Sequence, residues 1–156
     1  MDSSRCILSR NAGDTIMIDT IKYKGKIIIT EESGKQYVFK NIVTDGFYQL
    51  IADNLIGASS DNLTHFGIGT GTTTATGTDT SLVTPSGDRE AITYTDSTGA
   101  IIHLRATISG ADLIYTWKEV GVFTALTAGI MTNRVNINYV HNAGESITID
   151  YYIEKE

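Results

Sequence analysis

The chain has 156 residues, a hydrophobic fraction of 41%, a charged fraction of 19% and a formal net charge of −6. That length predicts a single domain, 1–156, with a full core, and that composition excludes an intrinsically disordered chain. The twelve lysines and arginines form no run, which argues against a nucleic-acid surface, where clustered cations must displace counterions from phosphates. Cys6 is the only cysteine, so neither an intrachain disulfide nor a cysteine metal cluster is available, as suits a reducing cytoplasm. Met1-Asp-Ser-Ser-Arg5 carries no apolar leader core and no segment has the length of a membrane span, so no membrane partner is expected.

In chain order, 1–43 reads as N-terminal strands. Ile16 to Tyr23 and Ile27 to Thr30 are β-prone runs separated by Lys24-Gly25-Lys26, and Glu31 to Gly34 is a turn with Gly34 able to take positive φ. Lys35 to Lys40 alternates, with Tyr37 and Phe39 on one face and Val38 on the other. The one helix signal covers about 44–56. Thr44 or Asp45 can cap it, Phe47, Leu50, Ile51 and Leu55 form its apolar stripe, and Gly57 sits at the C-terminal cap.

Residues 58–90 form a Gly/Thr-rich loop region that includes the single proline, Pro85, and 91–156 is strand and turn text. Ile102, Leu104, Ala106 and Ile108 share one face of a strand, and Leu113 to Phe123 reads as another. Met131 to Val140 and Glu145 to Glu154 are expected to pair as a hairpin around His141-Asn-Ala-Gly144, with Ile147, Ile149, Tyr151 and Ile153 on one face. The fold class that follows is mainly β: an antiparallel β-sandwich with an N-terminal hairpin and one short α-helix.

The stretch from Gly67 to Gly71 imitates a phosphate-binding loop. No helix signal follows it and no lysine lies between Lys40 and Lys118, so no nucleotide cofactor is expected. Gly67, Gly69 and Gly71 are instead structural-loop glycines, serving close backbone approach or positive φ. His65, His103 and His141 have no metal-ligand spacing; His65 reads as a structural hydrogen-bonding residue and His103, beside Arg105, as a solvated strand residue. Glu31-Glu32 reads as a solvated turn, and no serine sits in a nucleophile elbow. Neither a catalytic residue nor a metal site is assigned, and the chain is read as a non-enzyme. Glu119, flanked by apolar residues, needs Arg105 or Arg134 as a partner if it is buried. Tyr115, Trp117, Tyr139, Tyr151 and Tyr152 can fill either the core or a subunit interface, and are the candidate interface residues.

Six segments follow one another in a telling order from Asn41 to Ile153: Asn41-Ile-Val-Thr-Asp-Gly46, Leu63 to Gly71, Thr78-Asp-Thr-Ser-Leu-Val83, Lys118-Glu-Val-Gly-Val-Phe123, Ile130-Met-Thr-Asn-Arg134 and a closing strand ending Ile147-Thr-Ile-Asp-Tyr-Tyr-Ile153. In this order they resemble small structural proteins of tailed bacteriophages, of the tail, baseplate, collar-fibre or capsid-appendage type. Arg89-Glu90 departs from the pattern, in which an acidic residue more often precedes the arginine. The resemblance implies a non-enzymatic virion component, a tail/baseplate, neck or fibre-attachment protein assembled in the host cytoplasm. It implies a homo-oligomer, a trimer by analogy, whose partners are itself and other virion proteins. Alternatives of the same origin are a capsid decoration or head-fibre protein, or a module that binds a glycan or other receptor on the host.

Overall fold

The computed structural model describes residues 21–156, and the expectation of strand over 16–20 lies outside them. Among the described residues nine strands, one α-helix and a short 3-10 turn follow in the order β1 (Tyr23–Glu31), β2 (Gln36–Val43), α1 (Asp45–Leu55), β3 (His65–Gly69), β4 (Glu90–Ala91), β5 (Tyr94–Asp96), the 3-10 turn (Thr98–Ala100), β6 (Ile102–Ile108), β7 (Thr116–Phe123), β8 (Met131–Val140) and β9 (Ile147–Lys155). The protein is mainly β with one helix, as the alternating text predicts. Among the described residues no helix is long and apolar enough to cross a membrane.

The strands form one antiparallel sheet in the order β4-β3-β7-β8-β2-β1-β9-β6-β5. Two places make it curl. β2 pairs with β1 through Asn41, then Ile42 and Val43 pair with Arg134 and Asn133 of β8. At the other end, β4 and β5 belong to one extended segment. Its Ile92 N–H donates to the Thr64 carbonyl beside β3, and its Thr93 N–H donates to the Arg105 carbonyl on β6. The two ends of the sheet order are therefore neighbours in the chain, and the sheet wraps one core instead of forming two separate layers.

Period-2 alternation supplies that core. Ile147, Ile149, Tyr151 and Ile153 of β9 meet Ile27 and Ile29 of β1 and Leu104, Ala106 and Ile108 of β6, and all are buried. Phe66 and Ile68 of β3, Trp117, Val120 and Val122 of β7, and Val135, Ile137 and Tyr139 of β8 close the other side. Trp117, Tyr139 and Tyr151 are thus core residues, which corrects their candidacy as outward interface residues. The rings of Trp117 and Tyr139 pack against each other, and Tyr151 accepts a hydrogen bond from Asn41 Nδ2 at 3.1 Å. Burial pushes the hydroxyl pKa values of Tyr139 and Tyr151 well up. Of the five candidate interface residues, Tyr115 and Tyr152 alone keep part of their surface in solvent.

Further corrections concern connections. β8 and β9 are not a hairpin: β8 pairs with β7 and β2, whereas β9 pairs with β1 and β6. The segment between them crosses from one side of the curl to the other. Its anchor is His141, buried against Trp117, with its Nε2 2.7 Å from the Glu145 carbonyl. Thr44 occupies the N-cap position, yet its hydroxyl donates to the Met131 carbonyl at 2.8 Å and makes no cap bond. Phe47 and Leu50 are buried, while Leu55 is 81% exposed and drops out of the expected stripe. Phe47 meets the Tyr23 ring edge-on at 5.2 Å, so the helix closes the end of the core beside β1.

Leu50→Asp is expected to unfold or aggregate the protein. An unpaired carboxylate at this buried position costs about 5 kcal/mol, the lower end of a typical stability margin. Thermal unfolding followed by circular dichroism checks this, and a parent-like melt would contradict the packing of α1.

Candidate functional site

The Gly/Thr-rich region is laid back over the outer face of β3, β7 and β8. Glycines make the approach close enough. A Cβ on Gly69 would meet the Thr84 carbonyl and lie 2.6 Å from Glu119 Oε1, and one on Gly71 would lie 2.5 Å from the same oxygen. Gly67 and Gly121 leave room for Phe123, Met131 and Leu82, which form a small second core outside the sheet. Arg89 seals it: its guanidinium stacks 3.4 Å from the Phe123 ring centre and donates to the carbonyls of Ala125 and Ala128.

Beside this cluster lies a buried polar hub. A β-bulge between Trp117 and Glu119 resets the alternation, so Trp117 and Val120 face the core while Glu119 faces the overlying loop. Glu119 is 0% exposed. Its Oε1 accepts from the amides of Gly71 at 3.1 Å and Thr84 at 2.7 Å, and its Oε2 accepts from the Val83 amide at 3.0 Å and from Arg134 Nε at 2.8 Å. Arg134, equally buried, donates through Nη1 to Asp79 at 2.8 Å and through Nη2 to the Thr73 carbonyl at 2.7 Å. Asp79 in turn accepts from the amide and hydroxyl of Thr76, both at 2.8 Å. The glycine loop does cradle an anion with its amides, and that anion is the protein's own carboxylate.

The titration of the hub follows from these contacts. Burial alone raises the Glu119 pKa, but the Thr84 and Val83 amides and Arg134 outweigh it and hold the carboxyl below its ordinary value. Asp79 is held low in the same manner, by Thr76 and Arg134 against burial. For Arg134, burial works against the charge while Asp79 and Glu119 together raise its pKa. Of the two partners the sequence offers Glu119, Arg134 is the one used; Arg105 binds Asp150 on the opposite half of the sheet.

That opposite half carries the second feature, an outward ladder across β2, β1, β9, β6 and β5. The cross-strand register places Lys40, Lys26, Tyr152, His103 and Asp96 in one row. Asp150, nearly buried in the adjacent row, accepts from Arg105 Nε at 2.7 Å and lies 2.5 Å from His103 Nε2. The His103 ring is thereby fixed, not solvated, and stacks on Tyr152 with ring centres 4.2 Å apart. Lys26 Nζ lies over the Tyr152 ring, 5.1 Å from its centre. Above this row lies a groove of about 710 Å³ walled by the β5–β6 connection.

The other residues singled out in the sequence are placed as follows. Tyr115 is half-buried and donates to the Ser86 carbonyl at 2.7 Å. His65 Nδ1 is 2.8 Å from the Thr64 hydroxyl. Among the described residues no three His, Cys, Asp or Glu side chains converge as a metal-binding group. The roles of Asp150, His103, Lys26 and Lys40 emerge only from strand register, which alternation within one strand does not disclose. No protein-family model, curated protein or solved structure matches this chain.

Glu119→Gln is expected to destabilise the protein by about 3 kcal/mol or more, because Arg134 is left buried with one of its two carboxylates gone. The parent should also lose stability on acidification. Folded-state pKa values of Glu119 and Asp79 lie below their unfolded values, so their contribution is whole above the ordinary carboxylate range and fades as pH falls through the depressed values. Denaturant titrations across acidic pH check both points; the Gln variant should show the shallower acid dependence.

Proposed function

We propose that this chain is a non-enzymatic structural component of a bacteriophage virion, an oligomeric tail, baseplate, neck or fibre-attachment protein. One observation carries the reading: of the six segments behind the phage resemblance, the five between Asn41 and Arg134, far apart in sequence, converge on one site, while the closing strand pairs with β1 and β6 on the other half of the sheet. Gly69 and Gly71, Asp79 and Leu82, Glu119 and Phe123, and Met131 and Arg134 build the hub and its apolar seal. The helix start joins them, since the Thr44 hydroxyl bonds Met131 and the Asp45 amide donates to the Gly77 carbonyl at 2.7 Å. Segments that seem unrelated along the chain thus have a common physical cause.

Two surface features suit assembly. The loop that the hub pins in place presents Thr72, Thr73 and Thr74 to solvent, donors and acceptors that carry no charge. Gln36 to Asn41 pair with β1 on one side and with no described strand on the other, and Val38 is 60% exposed there. An open edge of this kind is commonly covered by a neighbouring subunit. A trimer is the stoichiometry proposed, on the analogy with phage appendages.

Native mass spectrometry of the purified protein and proteomic analysis of purified particles test this reading. The expected results are a closed homo-oligomer and a fixed copy number per particle. A monomer in both settings, or absence from particles, would overturn it.

A further inference from the structure

We infer that the groove on the outer face of β1, β9 and β6 is a binding site for an acidic saccharide. This develops the receptor-binding alternative and stands independently of where, or whether, the protein sits in a virion.

The charge distribution comes first. The protein is acidic overall, yet Lys22, Lys24, Lys26, Lys35 and Lys40 all lie in or beside the β1–β2 hairpin. The described arginines are committed elsewhere: Arg89 to Phe123 and backbone carbonyls, Arg105 to Asp150, Arg134 to the hub. Lys26 and Lys40 stand directly opposite each other on neighbouring strands. Like charges in that relation destabilise a sheet. Lys24 pairs with Glu154 at 3.4 Å, whereas Lys26 and Lys40 have no carboxylate partner among the described residues. An anionic group seated between them would relieve the repulsion.

The rest of the groove selects what carries the anion. Asp96 closes the end of the row farthest from Lys40, and Glu154 and Glu156 line the groove on the Lys24 side, carboxylate acceptors suited to hydroxyl groups. A ligand that meets Lys26 and Lys40 at one end and Asp96 at the other must combine a negative charge with hydroxyl donors, the chemistry of a uronic or sialic acid. The Tyr152 ring already has His103 stacked on it and the Lys26 ammonium over it, a cation that disfavours a second one there. The site is also pre-formed. Asp150 fixes His103 through Nε2, and Nδ1 has no partner among the described residues. A rigid floor lowers the ordering cost of binding.

The test is calorimetric titration of the full chain with matched probes: sialyllactose against lactose, and a galacturonic acid oligomer against its methyl ester. Inorganic phosphate serves as the bare-anion control. Saturable binding of at least one acidic probe is expected, with its neutral counterpart bound more weakly by about tenfold, equivalent to about 1.4 kcal/mol. Lys26→Ala with Lys40→Ala should abolish that preference without lowering the melting temperature, since both side chains lie on the surface and their mutual repulsion is removed with them. Asp96→Asn should weaken the acidic saccharide and leave phosphate unaffected. Absence of saturable binding by every acidic probe, equal binding of the neutral analogues, or phosphate binding as tight as the saccharide would each overturn the assignment. So would shifts in amide NMR resonances that map away from Tyr152 and His103.

Discussion

The Glu119 carboxylate is the interaction on which the outer layer of this protein depends. A buried anion is costly unless its oxygens are filled, and here three backbone amides and one guanidinium fill them. The amides belong to Gly71, Val83 and Thr84, the two ends of one loop, so satisfying the charge fixes where the loop leaves and rejoins the sheet. Arg134 extends the constraint to Asp79 and Thr73 in the middle of the same loop. A segment with little apolar content of its own is ordered by four polar side chains, Asn136 being the fourth through its bonds to Ala75 and Thr73.

This arrangement gives the glycines their meaning. Each of Gly69 and Gly71 lies where any side chain would strike the Glu119 carboxylate. Their spacing resembles a phosphate loop because both need the backbone to come close to a negative group, to which Gly71, Val83 and Thr84 here give their amides. The difference lies in the source of the anion. A carboxylate supplied from β7 leaves those amide hydrogens engaged within the fold.

The core and helix were legible in the sequence because both arise from periodicity. Alternation in Ile147 to Ile153 and Ile102 to Ile108 marked buried faces, and Phe47 and Leu50 marked the helix. Alternation does not, however, say which strand lies beside which. The turn at His141 to Gly144 looks local, yet β8 and β9 lie on different parts of the curl, β8 between β7 and β2 and β9 between β1 and β6. Tyrosines read as either core or surface for the same reason: an aromatic ring suits both, and only the closure of the curl decided for Trp117, Tyr139 and Tyr151. Glu119 was recognisable as a residue in need of a partner, but the bulge that turns it from the core to the loop left no mark in the residue pattern. The groove was invisible to sequence reading, since Lys26, Lys40, Tyr152 and His103 meet only through pairing across four strands.

Hydrogen exchange of the Gly71, Val83 and Thr84 amides tests the central claim most directly. None of the three belongs to a strand ladder, and Glu119 is the acceptor for each. The account predicts protection comparable to that of the β7 ladder amides. Exchange as fast as that of the exposed turn at Ser33 and Gly34 would contradict it.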